Sequence, residues 1–129
     1  MEFTLITNFP ASAKKIYKAW LSTQGHTKMT LGTAFTSDKV GDPFSAWDGY
    51  INGKNVELVP YTKIVQSWRS SQFEEHEEDS QIEILLKELD GKTELTLTHS
   101  KVPESGEHYK KGWDNHYFKP MKVYFQNKE

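Results

Sequence analysis

The sequence predicts an α+β fold: a curved antiparallel sheet of about six to seven strands wrapped around a long C-terminal helix, with two short helices after the first strand. Three observations carry this expectation. In the tail, Glu107 to Phe125, the residues Tyr109, Trp113, Tyr117, Met121 and Tyr124 recur at spacings of four, four, four and three. That spacing puts them on one helical face, which His116 and Phe125 widen. Lys110, Lys111, Asp114, Lys119 and Lys122 occupy the other side. Between Leu31 and His99 the periodicity falls to two, with turn residues at short intervals. Finally, a helix of about twenty residues spans roughly 30 Å. An aromatic face of that length needs a concave partner, and the strands supply one.

Taken in order, Glu2 to Phe9 alternates, with Phe3, Leu5, Thr7 and Phe9 on one side, as a half-buried strand does. Pro10 ends it, and Ser12 is placed to cap a helix carrying Ala13, Ile16, Tyr17 and Trp20 as its apolar stripe. Gly25 is expected to break that helix before a second short turn at His26 to Met29. Ala34 to Thr36 reads as a short strand, followed by a turn over Lys39 to Pro43. Phe44 to Trp47 and Tyr50 to Ile51 flank Asp48-Gly49. Asn52-Gly53-Lys54-Asn55 has the chemistry of a turn or bulge before a strand over Val56 to Val59. Lys63 to Ser70 is a strand with apolar residues on both faces, which leaves its register open. After the acidic loop Glu74 to Asp79, Gln81 to Leu89 places Ile82, Ile84 and Leu86 on one face. Asp90-Gly91 is a hairpin signal, and Thr93 to His99 returns with Leu95 and Leu97 inward. Ser105 or Glu104 starts the tail helix, in which Pro120 should produce a kink.

Length and composition narrow the function classes. At 129 residues the chain is read as a single domain, 1–129, with no internal repeat. A net charge of −2 provides no global basic field for nucleic acid. The absence of cysteine removes thiolate metal sites, disulfides and a cysteine nucleophile. No apolar run reaches the roughly 18 residues of a membrane span, and the start lacks the features of a signal peptide. A cytoplasmic protein is expected. Four separated tryptophans point either to an aromatic core or to an aromatic cavity.

Three segments together resemble the family of activators of the heat-shock protein 90 ATPase. They are Gly53 to Pro60 followed by Lys63 to Arg69, then Thr93 to Ser100 with Val102-Pro103, and Gly112-Trp113 with Tyr117 to Lys122. The likeness is to the second domain of the eukaryotic co-chaperone and to stand-alone bacterial relatives. It implies the helix-grip fold shared with birch-pollen-allergen and START-related lipid-transfer proteins, often built around an apolar cavity. It also implies a chaperone of the heat-shock protein 90 type as a partner. Some members of the wider superfamily are cyclases or hydrolases.

The residues offer matching candidates. Trp20, Met29, Phe35, Phe44, Trp47, Trp68, Phe73, His99, Trp113, Tyr117 and Met121 are expected to wall an apolar ligand cavity, since such pockets are mostly apolar with a few polar anchors. The same side chains would equally fill a core. Arg69 is the candidate anchor for a carboxylate or phosphate, against the alternative of an ordinary ion pair. No histidine pair has metal-ligand spacing and no catalytic triad is visible, so no metal, cofactor or catalytic residue is expected. His99, beside Leu95 and Leu97, reads as a hydrogen-bonded wall residue. The acidic loop around His76 lacks the pattern of a calcium loop. Lys110, Lys111, Lys119, Lys122 and Lys128 form a modest basic face on the tail. The leading expectation is a non-catalytic module holding a small apolar or amphipathic ligand between sheet and C-terminal helix. A co-chaperone-like regulator is the alternative, and an enzyme using the same cavity is the third reading. Oligomeric state is not fixed by any of these features.

Overall fold

The computed structural model describes residues 1–126. Six antiparallel strands form one open, curved sheet: β1 (Phe3–Phe9), β2 (Pro43–Ala46), β3 (Ile51–Val59), β4 (Lys63–Ser70), β5 (Ser80–Leu89) and β6 (Lys92–Ser100). Their spatial order is β1-β6-β5-β4-β3-β2. Two short helices, α1 (Ala13–Trp20) and α2 (Thr23–Thr30), follow β1. The tail is one helical rod in four pieces: a 3₁₀ turn (Glu104–His108), α3 (Tyr109–Trp113), a π turn (Asp114–Phe118) and α4 (Lys119–Gln126). The sheet grips this rod, so the helix-grip arrangement holds. Lys128 lies outside the described residues.

Register puts the apolar members of each strand on the concave face. Leu5 pairs with Leu97, which pairs with Ile84, which pairs with Ile64. One step along, Phe3 lies beside His99, Ile82 and Gln66. This settles β4: Ile64, Gln66, Trp68 and Ser70 face in, and Val65 is buried on the convex side between Glu57 and Glu83. A glutamine faces the core because its amide is fully used. Its Oε1 accepts from Trp20 Nε1 at 3.1 Å, and its Nε2 donates to Asn55 Oδ1 at 2.8 Å. The β5–β6 hairpin turns at Asp90 and Gly91, both with positive φ, as a type I′ turn requires.

Two local expectations are corrected. Gly25 does not break a helix; it sits inside α2, where a Cβ would lie 2.8 Å from the Ala19 Cα, so the glycine allows α2 to cross α1. The break falls at Leu21–Ser22, where Ser22 caps α2 by accepting from the Gly25 N–H. Ala34–Thr36 is not a strand of its own; Phe35 makes a single bridge to Ser45. Of the turn or bulge expected at Asn52–Asn55, the bulge is what forms: these residues lie in one continuous β3, with the bulge between Asn55 and Glu57. At Gly53 a Cβ would stand 1.9 Å from the Ser67 carbonyl oxygen, so only glycine permits this strand contact.

The tail face also differs in detail. Pro120 has no N–H, and its ring needs room against the preceding turn. The expected disturbance takes the form of the π turn, in which the Lys119 N–H reaches back five residues to the Asp114 carbonyl. The extra residue rotates the helix face. Tyr117 and Phe118 are both buried, Phe118 against Phe9, while His116 is exposed rather than part of the buried stripe.

Candidate functional site

Where the rod passes over the β2–β3 end of the sheet, the two do not close. A cleft of about 450 Å³ opens there. One wall is the arm between β2 and β3, with Trp47, Tyr50 and Ile51. The other is the rod from His108 to Tyr117, and Trp68 of β4 lies at the base.

The arm is held in an unusual conformation. Trp47, Asp48 and Gly49 have φ of 51°, 57° and 88°, all left-handed. Two consecutive non-glycine residues there store strain. The Asp48 N–H is fixed by the Thr33 carbonyl at 2.8 Å. The geometry turns the Trp47 indole toward the rod, where it meets His116 edge-on at 5.5 Å. Its Nε1–H is shut off from solvent and has no acceptor among the described residues.

The rod wall is backed by a dense aromatic cluster. Trp113 stacks on Trp20 at 6.3 Å and lies 5.9 Å from Trp68 and 4.8 Å from Tyr117. Two buried histidines fix these rings from behind. Trp113 Nε1–H donates to His99 Nδ1 at 3.1 Å, so Nδ1 carries no proton. His99 Nε2–H then donates to Ser80 Oγ at 2.8 Å, and that hydroxyl donates to the Trp68 carbonyl at 2.7 Å. His26 has the opposite tautomer: Nδ1–H donates to the Trp20 carbonyl and Nε2 accepts from the Tyr117 hydroxyl, both at 2.8 Å. Burial holds His26 at a pKa of about 4. Burial, with the nearby amino terminus, holds His99 at about 3. Burial pushes the Tyr117 phenol above its ordinary range. The wall is therefore backed by neutral, buried and hydrogen-bonded groups. Tyr109 is tied down by a short hydrogen bond to Ser70.

The cleft's mouth differs in character. Lys110 pairs with Glu107, and Lys119 with Asp114, but Lys111 has no ion-pair partner among the described residues. Asn115 gives its Oδ1 to Lys119 at 3.1 Å, which leaves its amide N–H groups to donate. No carboxylate lines the cleft among the described residues. Gly112 sits in the middle of this wall, and a Cβ there would meet nothing within 4 Å.

The sequence-derived wall residues fall into groups. Trp47, Trp68, Trp113 and Tyr117 line the cleft together. Trp20, Met29, Phe44, His99 and Met121 are buried in the core behind it or beside it. Phe73, half-buried, packs against Trp68 and Tyr109 without lining the cleft. Phe35 is 65% exposed and away from it. Arg69 also stands apart. Its guanidinium donates to the Glu74 and Glu77 carbonyls at 2.6 Å and pairs with Asp79 at 3.2 Å, holding the acidic loop. Sequence reasoning missed Tyr50, Ile51, His108, Tyr109, Lys111, Gly112, Asn115 and His116 in the lining, and the buried His26. Of these Tyr109 carried a signal, the aromatic stripe of the tail, and Gly112 another, a glycine inside a helical pattern.

Among the described residues no group of three or more His, Asp or Glu is placed to hold a metal ion. No helix among them is long and apolar enough to cross a membrane.

Comparison with known proteins agrees with this architecture. The sequence profile of the family described as "Activator of Hsp90 ATPase homolog 1-like protein" matches residues 10–126. The human activator of 90 kDa heat shock protein ATPase homolog 1 is 26% identical over 125 residues, covering 96% of this chain and 37% of the human protein. The mouse homolog 2 is 29% identical over 115 residues, 88% of this chain and 34% of that protein. The chain thus spans about a third of the length of these curated relatives. The crystal structure of an HSP90 activator from Plasmodium falciparum superposes with a TM-score of 0.89 at 23% identity, covering 98% of this chain and 96% of that one.

Proposed function

The chain belongs to the family of Hsp90 ATPase activator homolog 1-like proteins, and from that premise we propose that it acts as a non-catalytic binding module, holding a small apolar or amphipathic molecule in the cleft between the β2–β3 arm and the C-terminal rod. The observation that carries this reading is Gly112. Glycine in a helix is less stable than alanine by about 1 kcal/mol. No backbone strain or crowding calls for it here, because a side chain would enter only the open cleft. Space in the cleft is kept at the expense of helix stability. The strained Trp47 arm and its unpartnered indole N–H support the same reading.

Native mass spectrometry of freshly purified protein, compared with its denatured mass, tests it. The expected result is an excess mass that disappears on denaturation and is absent from Gly112→Leu purified in parallel. An excess mass that persists in Gly112→Leu would put the molecule elsewhere. No excess mass, with no thermal shift from apolar probes, would remove the reading.

A second reading rests on kinship. The human and mouse relatives are named as activators of the 90 kDa heat shock protein ATPase. This domain would then be the part of such a regulator that touches a chaperone of that type. The two readings are compatible, since the cleft uses one end of the molecule and leaves the convex face of the sheet free.

A further inference from the structure

We propose that the cleft is selective for aromatic acids: flat, multi-ring molecules bearing a carboxylate. This rests on the cleft being a ligand site, and it names the class of ligand. The walls set the shape. Trp47 and Tyr50 contribute half-buried rings, Trp68, Tyr109, Trp113 and Tyr117 border the cleft with small parts of otherwise buried rings, and Ile51 is the only aliphatic side chain among the lining residues described. Ring faces favour a flat partner over a flexible alkyl chain, because stacking adds to simple burial and a rigid ligand loses little freedom.

The polar groups left unused favour a negative charge. Several acceptors near the cleft are already committed. Tyr109 is bonded to Ser70, Tyr117 to His26, and the Asn115 oxygen to Lys119. Two donors remain at the mouth, the Lys111 ammonium and the Asn115 amide N–H groups, beside the exposed His116 ring. Both neighbouring lysines on the rod are neutralised by their own carboxylates, and Lys111 alone is left to face the cleft. A ring-lined cleft with an unpaired lysine and amide N–H donors at its mouth, and no carboxylate among the described lining residues, matches an anion attached to an aromatic body.

Isothermal titration with three probes tests this: 2-naphthoate, its neutral counterpart 2-naphthalenemethanol, and the alkyl acid decanoate. Naphthoate should bind about tenfold or more tightly than either of the others, as a charge-assisted contact implies. Lys111→Gln should remove most of the advantage over the alcohol. Gly112→Leu, with thermal stability at or above that of the parent, should abolish binding of all three. Equal binding of naphthoate and the alcohol, or tighter binding of decanoate, would overturn the aromatic-acid assignment while leaving the cleft a ligand site. Binding that survives Gly112→Leu, or no binding of any probe, would overturn both.

Discussion

The two core histidines show how much a single residue can depend on its partners. An indole N–H can only donate and a backbone carbonyl can only accept. Trp113 therefore forces a bare Nδ1 on His99, and the Trp20 carbonyl forces a protonated Nδ1 on His26. A second proton on His99 would face the Trp113 N–H donor, and a charged His26 ring would be buried away from solvent. With folded pKa values of about 3 and 4 against an unfolded value near 6.5, the unfolded chain binds more protons than the folded one in the interval between. Stability is thus complete above about pH 6.5 and falls as the pH drops toward the folded values. The slope is about 1.4 kcal/mol per pH unit for each histidine. Urea melts at pH 7.5, 5.5 and 4.5 should show this loss, and His26→Gln with His99→Gln should flatten it. A profile in the parent that stays level from pH 7 to 5 would mean that both rings take up protons in the fold as readily as in the unfolded chain. None of this was legible in the sequence. His99 could be placed on the inner face by alternation with Leu95 and Leu97, but its partner is a helix away. His26 lies on a short helix whose polar sequence gives no periodicity to read.

At the scale of elements, α2 does something its sequence hides. Thr23 and Thr27, one helical turn apart, each use a hydroxyl twice. Thr23 Oγ1 accepts from the Thr36 N–H and donates to the Thr36 carbonyl, and Thr27 Oγ1 does the same for Ala34. Four residues of helix rise about 6 Å, close to the spacing of alternate residues in an extended chain. The pair therefore stands in for a missing strand along the segment outside β2, where an open edge would invite pairing with another chain. Thr27→Val should leave the Ala34 N–H bare, speed its hydrogen exchange about tenfold or more and cost about 1 kcal/mol. Unchanged protection of Ala34 would show that the hydroxyl does not shelter it. Strands with strict alternation, such as β1, β5 and β6, were legible from sequence because one face of each meets the core. The misread pieces share a different cause. Gly25 and Gly53 look like breakers but serve close contacts, and the π turn before Pro120 shifts the face so that Phe118, not His116, turns inward.

At the scale of the molecule, the order of elements was enough to give the architecture, since a long aromatic helix and a run of strands have few ways to bury each other. It did not separate core from cleft. Trp20 and Trp113 have the same chemistry and stack on one another, yet only Trp113 reaches open space. That distinction depends on where the rod stops touching the sheet, which periodicity does not encode. The same scale governs the chaperone reading. The chain matches about a third of its curated relatives, so an isolated domain is expected to bind a chaperone of the 90 kDa heat-shock type and to raise its ATPase rate less than a full-length activator does. Steady-state ATPase assays with increasing amounts of domain check this. No co-sedimentation with the chaperone and no change in rate would remove that role.

The two walls of the cleft are unequal in what sequence drift they tolerate. Trp113 and Tyr117 border the opening but are buried against Trp20, His26 and His99, so any substitution there is a substitution in the core as well. Tyr50 is only half-buried, Lys111 has no ion-pair partner among the described residues, and Gly112 has open space beside it. On the proposed reading, a change of ligand therefore needs changes in the arm and the rim alone, on a scaffold whose interior stays the same.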